Sequence, residues 1–151
     1  MSEKKDYQTF RNHVIQPRDR CDRIENLLVA GMPDVNICIN TYESWLEIKS
    51  PKEPVGAHVG LFVSNHNVSM NQSNWFLRQI NAGGSCYLLV ATDKRWLLID
   101  GVYAIDNQRI NRMTTSELIL VSDWHAVSNP RVTPQQWQLL RNALSRRLPR
   151  G

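Results

Sequence analysis

The sequence predicts an α/β fold, one mixed β-sheet flanked by helices. Three observations predict it. Val35, Ile37 and Ile39 alternate with polar residues, and Leu46 and Ile48 repeat the pattern, which marks a β-hairpin. Two further apolar runs, Tyr87 to Ala91 and Trp96 to Ile99, flank the polar turn Thr92-Asp93-Lys94-Arg95. Apolar residues at helical spacing occur before, between and after these strands. With 151 residues, the expected organisation is a single domain over 1–151, large enough to bury a core of its own.

Each element has its own signal. Residues 6–16 form a helix with Phe10, Val14 and Ile15 as its apolar stripe, and Pro17 limits it. Arg18 to Arg23 is a charged connection, and the mostly apolar Ile24 to Ala30 is a strand leading to Gly31. Thr41 to Ser44 is the hairpin turn. Pro51, Pro54 and Gly56 open a loop that runs to about residue 68. Ser69 to Ala82 is a helix, with Ser69 as N-cap, Gln72 at N3 and Gly83-Gly84 as its stop. Trp75, Phe76 and Ile80 point inward from it. Pro134 to Leu148 is a final amphipathic helix carrying Trp137, Leu140 and Leu144. No element is assigned between Ile99 and Pro134, and no internal repeat or low-complexity segment is present.

Composition narrows the class. Hydrophobic residues make up 42% and charged residues 21%, which excludes a disordered chain. The net charge of +4 is compatible with a polyanionic partner. Cys21, Cys38 and Cys86 are odd in number and widely spaced, without a CxxC. That argues against a disulfide framework or a zinc knuckle and for reduced thiols. The first residues carry no apolar signal segment, and no stretch reaches the length of a membrane span. The expected location is the cytoplasm, or a host's cytoplasm for a phage-encoded protein.

The chemistry lies on the hairpin. Side chains two apart on a strand share a face. Glu47 and Lys49 therefore point away from Leu46 and Ile48, and Asp34 points away from Val35, Ile37 and Ile39. Antiparallel pairing then sets Asp34 across from residues 47 to 50. Two carboxylates so close repel unless a cation lies between them. Oxygen ligands suit Mg2+, with Mn2+ as the other candidate. Such a metal polarises a phosphoryl oxygen and lowers the pKa of bound water, and Lys49 can meet the phosphate or the water. Pro-Asp followed by Glu-x-Lys arises by chance in roughly 3% of chains this size. Strand facing therefore carries more weight than the motif.

Pro33-Asp34 followed by Glu47-Ile48-Lys49 resembles the PD-(D/E)xK nuclease superfamily. The pattern is similar to small stand-alone VRR-NUC-like and phage-type members, akin to Holliday junction resolvases. The likeness covers about residues 20 to 100. It includes Arg23-Ile24-Glu25-Asn26 before Gly31-Met32-Pro33-Asp34, and Gln72 on the next helix before Gly83-Gly84 and Tyr87-Leu88-Leu89-Val90. The resemblance implies a restriction-endonuclease-like core and metal-dependent hydrolysis of DNA, with branched or junction DNA as substrate. It implies a homodimer with two sites. Asp34 and Glu47 would bind the metal with the Ile48 carbonyl, and Lys49 would be the catalytic lysine. Gln72 would lie near the active site and contact the DNA backbone or the water network. Relatives carry a supporting Glu on the first helix. Near its start this chain has Glu3 and Asp6, and Glu25 is the candidate for that role. The Val-Arg-Arg tripeptide that names the VRR-NUC group is absent.

Other residues carry simpler readings. Gln72 also completes a capping box with Ser69. His58 and His66 lack the spacing of a ββα-metal site. His13 and His125 read as surface or helix-packing residues. Arg18, Arg20 and Arg23 form a candidate phosphate-binding group beside the hairpin. Arg141, Arg146, Arg147 and Arg150 read as a solvated face and basic tail. The alternative function is a nuclease-fold module that binds nucleic acid without cutting it. A host-directed interaction protein has no positive sign in the sequence.

Overall fold

The computed structural model describes residues 2–24 and 28–146. Glu25 and the residues after 146 lie outside the described residues. Six strands form one sheet in chain order: β1 (Arg20–Arg23), β2 (Val35–Ile39), β3 (Tyr42–Lys49), β4 (Cys86–Ala91), β5 (Arg95–Asp100) and β6 (Trp124–Val127). Only β3 and β4 pair in parallel; the other neighbours are antiparallel. The parallel step needs a crossover, and α2 (Met70–Asn81) supplies it. The sheet is therefore mixed, as the sequence predicts.

Helices cover both faces. On one face, α1 (Glu3–Val14) and α5 (Pro134–Leu144) bury Phe10, Val14, Trp137, Leu140 and Leu144 against Ile37, Leu46, Leu89 and Leu98. On the other face, α2, α3 (Asn107–Arg112) and α4 (Thr115–Val121) bury Phe76, Ile110 and Leu118 against Leu88, Val90 and Leu97. The strands between these layers are apolar on both sides, so β4 is buried at every position. Among the described residues, no helix is long and apolar enough to cross a membrane. None of the three cysteines is in a disulfide.

Several boundaries differ from the sequence reading, each for a physical reason. The segment Arg18 to Arg23, read as a connection, contains β1, whereas no strand is formed by the described residues of Ile24 to Ala30. β1 is an edge strand with mostly exposed side chains, so it has no apolar alternation to detect. The hairpin turn is Asn40-Thr41 rather than Thr41 to Ser44. Asn40 (φ 49°) and Thr41 (φ 70°) both occupy the left-handed region, as a tight two-residue hairpin turn requires. α1 starts earlier than residue 6, because the Ser2 side chain accepts from the Lys5 N–H and caps it. The region from Gly101 to Thr133, left unassigned, holds a 3-10 turn, α3, α4 and β6.

Arg141 is corrected as well. It is buried rather than part of a solvated face. Its guanidinium donates to both Asp19 carboxylate oxygens and to the Val14 carbonyl. The pair ties α5 to the end of α1 and to the turn that enters β1. Arg141 also holds the Asp19 carboxyl below the usual carboxylate range.

Candidate active site

The site forms where β2 begins and β3 ends. Val35 pairs with Leu46, and the register carried one step further sets Asp34 across from Glu47. The Asp34 carbonyl accepts from the Ile24 N–H at 2.6 Å, which extends the β1–β2 ladder past Val35. Gly31 brings the preceding loop against α2. Its φ is +79°, and a Cβ there would lie 2.1 Å from the Asn71 carbonyl oxygen. No other residue type allows that approach.

Glu47 and Lys49 point toward the α2 layer beside Leu88 and Val90, while Leu46 and Ile48 face the α1 layer. Both charged side chains are only 5% exposed. Buried charges require partners, and Lys49 has two. Its Nζ donates to the Asn67 carbonyl at 3.0 Å and to Gln72 Oε1 at 3.2 Å. Gln72 Oε1 also accepts from the Ser69 N–H at 3.0 Å, so the capping box and the lysine share one oxygen. Gln72 thus completes the capping box and also touches Lys49.

Burial pushes the Glu47 pKa well above its ordinary value; Asp34 adds its charge and a shared hydrogen bond, and Lys49 opposes them. A buried carboxyl beside another carboxylate is a poor anion without a cation. Glu3 joins the same field. Burial and Asp34 raise its pKa, while Lys49, His66 and Arg23 lower it. Glu3, one of the two acidic residues near the start of the chain, therefore lies close enough to Asp34 and Lys49 to feel their charges. Asp6, one turn along, points elsewhere and accepts from Ser50 Oγ at 2.5 Å, which fastens α1 beside the end of β3.

The donor set suits a hard divalent cation. Asp34 and Glu47 offer carboxylate oxygens at facing positions of adjacent strands, a pair whose charges a divalent cation would neutralise. Among the described residues, no three His, Cys, Asp or Glu side chains converge closely enough to form a ready-made cage. A cation here would be held mainly by this pair, with backbone or solvent oxygens completing its shell, as magnesium sites commonly are.

The arginine group separates into different situations. Arg23 lies over the Tyr7 ring, 5.5 Å from its centroid, and senses Glu3. Arg18 is exposed. Arg20 is paired with Asp22 at 2.7 Å and Glu43 at 3.9 Å, so its charge is already partly answered. His13 stacks on Trp137, as a helix-packing residue.

No protein-family model and no curated protein matches the sequence. Among solved structures, the fold is similar to that of Archaeoglobus fulgidus Hjc, a Holliday junction resolvase from an archaeal hyperthermophile. The TM-score is 0.53 at 13% identity, and the match covers 78% of this chain and 90% of that one. The fold is thus restriction-endonuclease-like, a six-stranded mixed sheet flanked by helices.

Proposed function

We propose that this protein is a metal-dependent endonuclease of the PD-(D/E)xK type that hydrolyses DNA phosphodiesters, with branched or junction DNA as its preferred substrate. The observation that carries the reading is the meeting of Asp34, Glu47 and Lys49 at the end of β3, with Glu3 arriving from another element. Ionisable groups gathered together under burial are a mark of functional sites. The resolvase likeness supports the reading through the fold. The finer likeness to VRR-NUC-like and phage-type members rests on the sequence pattern.

In this mechanism Asp34 and Glu47 hold Mg2+, or Mn2+ in its place. When bound, the ion stabilises charge on the phosphate and supplies a more acidic water. Glu3, from α1, would add a third carboxylate near the ion. Lys49, held between Asn67 and Gln72, presents its ammonium to the phosphate or the attacking water. In this reading the exposed Arg18 and Arg23 contact the DNA backbone. A homodimer with two sites belongs to the same proposal, and sedimentation equilibrium measures it.

The test is cleavage of linear, single-stranded and four-way DNA with Mg2+, Mn2+ or EDTA. Asp34→Asn and Lys49→Ala should each lower the rate by roughly a hundredfold or more while retaining most DNA binding. Glu3→Gln should cost about tenfold to a hundredfold, the range of a residue that supports metal ligands. Cleavage that persists in both Asp34→Asn and Lys49→Ala would overturn the assignment. Wild-type binding without cutting under every metal would favour the alternative, a binding module.

A further inference from the structure

The stretch from Gly60 to Val68, which leads into α2, is fastened at both ends to α3 and the residues just after it. At its first end, Gly60 bridges Thr114, and the Leu61 N–H donates to the Met113 carbonyl at 3.1 Å. The approach is close: a Cβ on Gly60 would lie 2.3 Å from the Asn111 carbonyl oxygen. At its last end, Val68 is buried, and the Asn111 side chain holds both of its backbone groups. The amide oxygen accepts from the Val68 N–H at 2.8 Å, and the amide nitrogen donates to the Val68 carbonyl at 2.9 Å. Asn carries a donor and an acceptor side by side, so one side chain satisfies the N–H and C=O of a single residue.

The Val68 N–H and the Asn67 carbonyl belong to one peptide group. That group is planar and trans, so its N–H and C=O point in opposite directions. Fixing the N–H therefore fixes where the carbonyl aims. The Asn67 carbonyl accepts from Lys49 Nζ at 3.0 Å. Asn111, the Asn67–Val68 peptide and Lys49 thus form one chain of hydrogen bonds, in which each bond polarises the next. Lys49 is only 5% exposed, and its other acceptor is Gln72 Oε1 on α2. One of the two bonds that hold the ammonium therefore depends on a side chain of α3.

We propose that Asn111 is a positioning residue of this site: by holding the Asn67–Val68 peptide, it sets where the Lys49 ammonium stands toward the phosphate or the attacking water. The role rests on the phosphodiesterase reading above. It adds a residue that lies outside the motif and beyond the stretch that the sequence resemblance covers. Without the Asn111 amide the peptide is free to turn, and a shift of about 1 Å at a reacting group can cost about a hundredfold in rate.

The experiment uses the full chain with Asn111→Ala, Asn111→Leu, Lys49→Ala and the double variant of Lys49→Ala with Asn111→Ala. Ile110→Val is the control: it trims the buried face of α3 and leaves the Asn111 amide in place. Cleavage kinetics are measured in Mg2+, folding by thermal melting, and the nitrogen signal of the Lys49 ammonium by NMR of the metal-free protein. Both Asn111 variants should lower kcat by about tenfold to a hundredfold with KM nearly unchanged. In the Lys49→Ala background the Asn111 substitution should cost no further kcat, because the two residues act as a unit. The ammonium signal, kept sharp in the wild type by hydrogen bonds that slow its exchange with water, should broaden in both Asn111 variants and not in Ile110→Val. If the bulkier Leu variant fails to fold, the Ala variant decides. Wild-type kcat in the Asn111 variants would overturn the proposal. So would an ammonium signal that stays sharp in them, an undiminished Asn111 effect in the Lys49→Ala background, or a matching loss of kcat in Ile110→Val. A wild-type protein that cuts no DNA sinks the nuclease reading alone, because the ammonium signal still decides whether Asn111 holds the lysine in place.

Discussion

Glu47 is the residue through which the site acts on the whole fold. Its folded-state pKa lies well above 4.5, so folding favours its protonated form. The sign follows from linkage: its contribution is fully present below pH 4.5 and is lost as pH rises through the raised value. Glu3 shifts in the same direction. The metal-free protein should therefore melt at a lower temperature as pH rises through this window, and Glu47→Gln should flatten that fall. Mg2+ or Mn2+ should raise the melting temperature more at pH 8 than at pH 5, since a ligand that binds the ionised pair stabilises the fold. Calorimetry across pH checks both; an equal metal effect at the two pH values contradicts the site. Asp34, Glu47 and Lys49 were readable in the sequence because strand periodicity dictates facing. Glu3 was not. Its distance from the hairpin is closed by the packing of α1 across the sheet, and no local pattern encodes that.

At the scale of elements, the close contact between Gly31 and α2 deserves a direct test. It seats the loop carrying Asp34 against the turn carrying Gln72. Gly31→Ala meets backbone at 2.1 Å and an unfavourable φ of +79°, so the loop or the helix must move. A loss of about 1–3 kcal/mol is expected in urea unfolding, accompanied by a fall in cleavage. Wild-type stability in that variant would show that the loop yields freely. The elements that were readable carry strong local chemistry. The hairpin alternates, and α2 and α5 begin with capping boxes at Ser69 and Thr133. β1 was missed because its residues are charged and pair along one edge only. β6 and the short helices α3 and α4 span 4, 6 and 7 residues, too brief for periodicity to emerge. Their positions are set by contacts with the sheet and with Val68.

At the scale of the molecule, the two helical layers are joined by the sheet, and the Asp19–Arg141 pair closes the α1–α5 side of it. Asp19→Asn leaves a buried guanidinium without its counter-charge, which costs about 3 kcal/mol. For this chain length that corresponds to a fall of roughly 6–12 °C in melting temperature. The Asp19 carboxyl sits below its ordinary 3.8, so the stabilisation is present above that value and is lost as pH falls through the lowered one. A wild-type melting temperature in Asp19→Asn at neutral pH would refute the role. Arg141 was misread because a cation on an amphipathic helix gives no sign of a buried partner elsewhere in the chain. The general architecture was recoverable, since a mixed sheet follows from strands separated by a helix. The tight turn at Asn40-Thr41 has a further consequence, because it fixes which residues of β2 and β3 face each other. A one-residue slip between these strands would swing Asp34 away from Glu47 and turn Val35, Ile37 and Ile39, each 0% exposed, out of their layer. Exposing three such side chains costs roughly 5–9 kcal/mol, which depletes the slipped form by more than about a thousandfold. Burial thus proofreads the alignment of Asp34 with Glu47: a molecule that has packed its core has already rejected the misaligned carboxylates.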